Sequence, residues 1–196
     1  MNKQPVTNRT RDRIMLTALV IAGLALLVLG MASLTYLTRP LAEPDYTETP
    51  YVSVVPSEVN FPAPEVNLTD LDGNPVALSK TSGQVVLVNN WAFWCPPCRD
   101  ELPELQAYYD AHNQQGFTII GIEAGGEKED VDYHVKLFKL TYPIWLDPQE
   151  KALHAFQSFN LPNSYVIDKS GTVRLYWVGV IDRAMLEKYV TPLLEE

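Results

Sequence analysis

The sequence predicts an α/β domain with a mixed central sheet flanked by helices, preceded by one N-terminal transmembrane helix. Three observations predict it. Residues 14–37 form 24 consecutive positions without a charge, and about 20 apolar residues span a bilayer as a helix. Short continuous apolar runs at 85–88 and 117–122 alternate with stretches of helical period, as strands buried on both faces alternate with covering helices. Two strand-like runs, 164–167 and 172–178, flank Lys169-Ser170-Gly171, a hairpin signal.

From the N-terminus, residues 1–13 hold Lys3, Arg9, Arg11 and Arg13 against Asp12, a net of +3, which leaves −12 on the rest of a chain of formal charge −9. Cations before the apolar run and Glu43, Asp45 and Glu48 after it place the 1–13 tail in the cytoplasm and the remainder outside. A cleaved signal peptide is the rival; its apolar region is usually shorter and ends at a small-x-small site, so an uncleaved anchor at the cell membrane is expected. No cysteine follows closely, which excludes a lipoprotein. Residues 38–60 carry Pro40, Pro44, Pro50 and Pro56 among acids and read as a semi-rigid tether. Residues 61–196 read as one folded domain. Within it, helices are expected at 97–112 (with Pro103 inside), 127–140, 150–159 and 183–194, and a short strand at 142–146. An acidic domain repels phosphates, so nucleic-acid binding is excluded.

The only two cysteines, Cys95 and Cys98, sit three positions apart, between a predicted buried strand and a predicted helix. A thiolate at a helix start is stabilised by unpaired N–H groups and the helix dipole, and the thiolate is the form that attacks a disulfide. Pro96 and Pro97 are tolerated in a first helical turn and remove N–H groups from the neighbourhood of the sulfur. Cys98, one turn later, is placed to resolve a mixed disulfide on Cys95. A purely structural disulfide closing so small a loop would contribute only about 2 kcal/mol. Structural zinc wants four ligands, and His112, His134 and His154 lie far from the motif in sequence.

The segment Val88-Asn89-Asn90-Trp91-Ala92-Phe93-Trp94-Cys95-Pro96-Pro97-Cys98-Arg99-Asp100-Glu101-Leu102-Pro103 resembles the thioredoxin superfamily, and within it the TlpA/ResA-like membrane-tethered branch, over residues 61–194. Phe61-Pro62-Ala63-Pro64-Glu65-Val66 with Leu71-Asp72-Gly73 is similar to the branch's opening strands. Leu161-Pro162-Asn163-Ser164-Tyr165-Val166-Ile167-Asp168 is similar to the segment carrying a cis-proline, and Asp168-Lys169-Ser170-Gly171 to the hairpin turn after it. The resemblance implies a thioredoxin-like fold and thiol–disulfide exchange through a redox-active Cys95–Cys98 pair. It makes Pro162 the cis-proline facing the cysteines, and has Leu161 offer backbone groups to an extended substrate. Trp94, Pro96 and Pro97 line the same groove. Asn89 stands where thioredoxin has a buried acid, so Glu101, on the face of Cys98, is the expected proton-handling group; its rival role is favouring the helix dipole. Leu161 and Asn163 depart from the serine, threonine or valine usual around this proline.

The resemblance also implies partners. These are protein thiols and disulfides outside the cytoplasm, among them apocytochrome c during cytochrome c maturation, and a membrane thiol transporter of the CcdA/DsbD type as electron source. No cofactor beyond the cysteine pair and no metal is expected. A disulfide-forming oxidant would use the same residues. A peroxiredoxin would need Thr-x-x-Cys, and Ala92 stands three before Cys95. A non-enzymatic copper carrier is the remaining alternative. Gly125-Gly126 alone is too weak a signal for a phosphate loop.

Overall fold

A computed structural model describes residues 8–37 and 53–196. The first part is a single helix, α1 (Asn8–Leu37). Its stretch Arg13–Leu34, 22 residues, is long and apolar enough to cross a membrane. The 38–52 part of the expected tether lies outside the described residues.

The second part is built on one eight-stranded sheet, in the order β1-β8-β7-β4-β5-β6-β2-β3. Its centre is β4 (Val85–Trp91), parallel to β5 (Phe117–Ala124) and antiparallel to β7 (Asn163–Ile167). Beyond β5, β6 (Ile144–Asp147) runs parallel; beyond β7, β8 (Thr172–Val178) runs antiparallel. Every residue of β4 is buried, which is why its sequence reads as a run rather than an alternation. Its side chains still alternate between two cores. Val85 and Leu87 join Leu102, Leu105, Tyr108, Ile119 and Leu186 on one face. Val86 and Val88 join Ile120, Ile122, Phe156 and Tyr165 on the other. Helix α2 (Pro96–His112) connects β4 to β5 and α3 (Lys128–Leu137) connects β5 to β6, each crossing between parallel neighbours.

Several boundaries differ from expectation. Strand β1 (Ser57–Pro62) begins inside the expected tether, because it pairs along β8 at the sheet's edge, where proline is tolerated. Leu71-Asp72-Gly73 is a turn, not a strand. It joins β2 (Asn67–Asp70) to β3 (Pro75–Ala77), with Asp70 Oδ1 accepting from the Asp72 and Asn74 amides and Gly73 at φ +82°. The expected 150–159 helix is only α4 (Lys151–Phe156), ended by left-handed Gln157. The closing helix divides at Val190 into α5 (Arg183–Tyr189) and α6 (Thr191–Leu194), with Pro192 starting the second. Helix 127–140 stops at Leu137, and the 142–146 strand starts at Ile144.

Candidate active site

Strand β4 ends at Trp91, and a tight turn closed by the Cys95 amide on the Ala92 carbonyl (3.1 Å) leads into α2. Cys95 is the N-cap of that helix. Because Pro96 and Pro97 have no N–H, the amide of Cys98 is the one that donates to Cys95 Sγ, at 3.3 Å. The two sulfurs form a disulfide with their Cα atoms 5.3 Å apart, an ordinary span for such a bond. Cys98 is fully enclosed and Cys95 is 5% exposed, while neighbouring Trp94 is 60% exposed. Pro96 and Pro97 face solvent.

The peptide bond Leu161–Pro162 is cis. The β4–β7 register sets Asn89 opposite Ser164 and Asn90 opposite Asn163, so Pro162, immediately before β7, lies at the sheet end where β4 leads into the cysteine turn. Leu161 packs against the core cluster that contains Cys95 and Cys98. Asn163 has a structural reason to depart from the family pattern. Its Nδ2 donates to the carbonyls of Ser158 (3.4 Å) and Asn160 (2.8 Å), and its Oδ1 accepts from Asn90 Nδ2 at 2.8 Å. This ties down the loop before the cis-proline.

Glu101 is wholly buried. Its Oε1 accepts from Asn89 Nδ2 at 2.7 Å, and its Oε2 from the Ile181 amide at 3.4 Å. Asn89 Nδ2 also donates to Ser164 Oγ at 3.0 Å. Burial pushes the Glu101 carboxyl up to about 8, against the lowering pull of those two hydrogen bonds. At neutral pH this carboxyl therefore holds its proton. Tyr142 is buried nearby; burial, and secondarily the charge of Glu101, push its phenol up.

Sequence reasoning missed the partners of Asn89 and Asn90. Two polar residues ending a run of four apolar ones were the available signal. It also missed Glu123, buried behind the turn, and the approach of His134 to Phe93, with ring centroids 5.5 Å apart.

Comparison with known proteins bears on this geometry. The AhpC/TSA family model matches residues 59–176. The thiol-disulfide oxidoreductase ResA of Geobacillus kaustophilus is 34% identical over 132 residues, 67% of this chain and 76% of that protein. The chain belongs to the thioredoxin-like AhpC/TSA family, among the ResA-type thiol–disulfide oxidoreductases. A solved thiol:disulfide interchange protein of the thioredoxin family from Chlorobium tepidum superposes with a TM-score of 0.63 at 29% identity, covering 70% of this chain and 99% of that one. The thioredoxin domain of a thiol-disulfide oxidoreductase from Bacteroides vulgatus gives 0.62 at 26%, covering 70% and 99%. The activity is thus thiol–disulfide exchange, and the substrates are protein thiols and disulfides. The ResA-type assignment fits a fold in which the cysteine pair caps a helix that follows a buried central strand.

Proposed function

We propose that this protein is held in the cell membrane by α1, with residues 1–13 in the cytoplasm and the domain outside, and that it reduces protein disulfides through Cys95-Pro96-Pro97-Cys98. The observation that carries the reading is the Cys95–Cys98 bond at the start of α2 with a buried, proton-holding carboxyl three residues beyond it. The Cys95 thiolate attacks one sulfur of the substrate disulfide, and the other leaves as a thiolate. Cys98 gives its proton to Glu101, which must be ionised to take it, and attacks Cys95 Sγ, which breaks the mixed disulfide and releases the second substrate sulfur as a thiolate. Two electrons leave the cysteine pair, and the Cys98 proton stays on Glu101. Pro162, Leu161, Trp94, Pro96 and Pro97 border the groove where an extended substrate lies.

By the family's pattern, apocytochrome c awaiting haem is the substrate and a membrane thiol transporter of the CcdA/DsbD type restores the dithiol. Trapping with Cys98→Ser tests the scheme: Cys95 should hold its substrate as an identifiable mixed disulfide. Partners captured by Cys95→Ser alone would reverse the two roles. Stoichiometric copper without disulfide reductase activity would favour a carrier, and net oxidation of reduced substrates would reverse the electron flow.

A further inference from the structure

The exchange scheme employs Glu101, on the helix side of the cysteines. A second carboxyl group, Glu123, is equally enclosed, at 0% exposure, and takes no part in it. Glu123 lies near the end of β5, in parallel register with Trp91 at the end of β4. Its Oε1 accepts from the Phe93 amide at 3.3 Å and its Oε2 from the Gly126 amide at 2.9 Å. Phe93 is the second residue of the turn whose last residue is Cys95. That turn is therefore tied twice, once by its own Cys95–Ala92 bond and once by Glu123.

Space around the carboxyl is reserved for it. A Cβ on Gly126 would sit 2.7 Å from the Glu123 carboxyl carbon, closer than real Cβ atoms approach. The Gly125-Gly126 pair, too weak as a phosphate loop, thus has another reason to be there. Gly125 turns the chain at φ +83° and Gly126 makes room for Glu123.

Both carboxyl oxygens accept from backbone N–H groups, the arrangement that suits the ionised form. Burial first, and then the charges of Asp130 and Asp147, push Glu123 above its ordinary value, against the lowering pull of the Phe93 and Gly126 amides. The charged groups facing it are Asp130 from α3 and Asp147 from β6. Glu150 Oε1 lies 3.7 Å from where a Cβ on Gly125 would be. His134 of α3 reaches the same turn through the Phe93 ring.

We propose that Glu123 is a positioning residue for the exchange reaction: its carboxylate fixes the cysteine turn through the Phe93 amide, and its negative charge beside that turn makes the Cys95–Cys98 pair more reducing. The proposal rests on the exchange reading above. A fixed anion disfavours the Cys95 thiolate, and so disfavours the thiolate–thiol product of adding two electrons and one proton to the disulfide. A Glu123→Gln change removes that anion and leaves one of the two amides facing a donor instead of an acceptor.

The test equilibrates the full chain in detergent with dithiothreitol buffers. It compares wild type, Glu123→Gln and, as control, Glu127→Gln, an exposed carboxylate on the same loop. The expected result for Glu123→Gln is a tenfold shift of the equilibrium toward the dithiol, which is ~30 mV for a two-electron couple. The onset of Cys95 thiolate absorbance should move to lower pH, with Glu127→Gln unchanged. Coupling is reciprocal, so in the wild type the carboxyl carbon of Glu123 must titrate differently in the oxidised and reduced forms. That NMR measurement decides the matter if the variant fails to fold. A wild-type potential in Glu123→Gln, or identical Glu123 titrations in both redox states, overturns the proposal. A wild-type cysteine pair that does not equilibrate with dithiol at all would instead overturn the exchange reading.

Discussion

Replacing Glu101 by Gln should abolish a pH dependence of stability that the buried carboxyl imposes on the oxidised protein. Burial moves this group from its ordinary 4.5 to about 8. Between those values the folded chain keeps a proton that the unfolded chain has released, so stability falls as pH rises. The contribution is whole below the unfolded value and lost once pH passes the folded one. Each unit is worth about 1.4 kcal/mol, so a shift of about 3.5 units amounts to roughly 5 kcal/mol across the window. That is a large share of the ~5–15 kcal/mol that holds a typical domain folded. All four tryptophans, Trp91, Trp94, Trp145 and Trp177, lie in the sheet-bearing part, so their fluorescence during urea unfolding in detergent reads that part alone. Wild type should lose several kcal/mol between pH 5 and pH 8, and Glu101→Gln should lose much less. Glu123 is also pushed up by burial and contributes a slope of the same sign, which the comparison of the two proteins cancels. Parallel pH profiles for wild type and Glu101→Gln would refute both the burial argument and the role of Glu101 as proton holder.

Two further outcomes follow from the same contacts. Asn89→Ala removes the donor that holds Glu101 Oε1 at 2.7 Å, so the Glu101 titration, followed by the NMR shift of its carboxyl carbon, should move to still higher pH. The lost buried hydrogen bond should cost about 1–3 kcal/mol in denaturant unfolding. Asp182 caps α5 by accepting from the Met185 amide at 2.8 Å, so Asp182→Ala should cost about 1 kcal/mol while disulfide exchange proceeds at its wild-type rate.

How much of this was legible in the sequence depends on how local the cause is. The order of strands and helices could be read because each β-strand of the centre is a short apolar run and each helix a periodic one. The cysteine motif, the proline at 162 and the acid at 101 could be read because their meaning lies within a few residues of spacing. Helix ends were read less well. Glu150 and Gln157 both adopt left-handed backbone, at φ 55° and 56°, without being glycine, so nothing in residue type announced that α4 would be so short. The break at Val190 had a visible cause in Pro192, two residues on. The contacts of Asn89, Asn90 and Glu123 were beyond reach for another reason. Their partners at Glu101 and Ser164, at Asn163, and at Phe93 meet them only once β4 has found β5, β7 and α2.

The two buried carboxyls illustrate how environment divides identical chemistry. Glu101 accepts one short bond from a side-chain amide and one long bond from a backbone amide, too little to offset complete burial, so it is the group that can take and return a proton at neutral pH. Glu123 accepts from two backbone amides, the nearer at 2.9 Å, donors that do not move or change partner, so although burial raises it its ionised form is held in place beside the turn. One acid stands three residues after Cys98; the other is bonded to the turn that ends in Cys95. A protein that reduces disulfides needs both functions, a place for the proton leaving the resolving thiol and an influence that keeps the attacking thiolate from being too stable to give up its electrons. An oxidant of the same fold would need only the first, so the state of charge of Glu123 is the feature of this site that bears most directly on which way the electrons run.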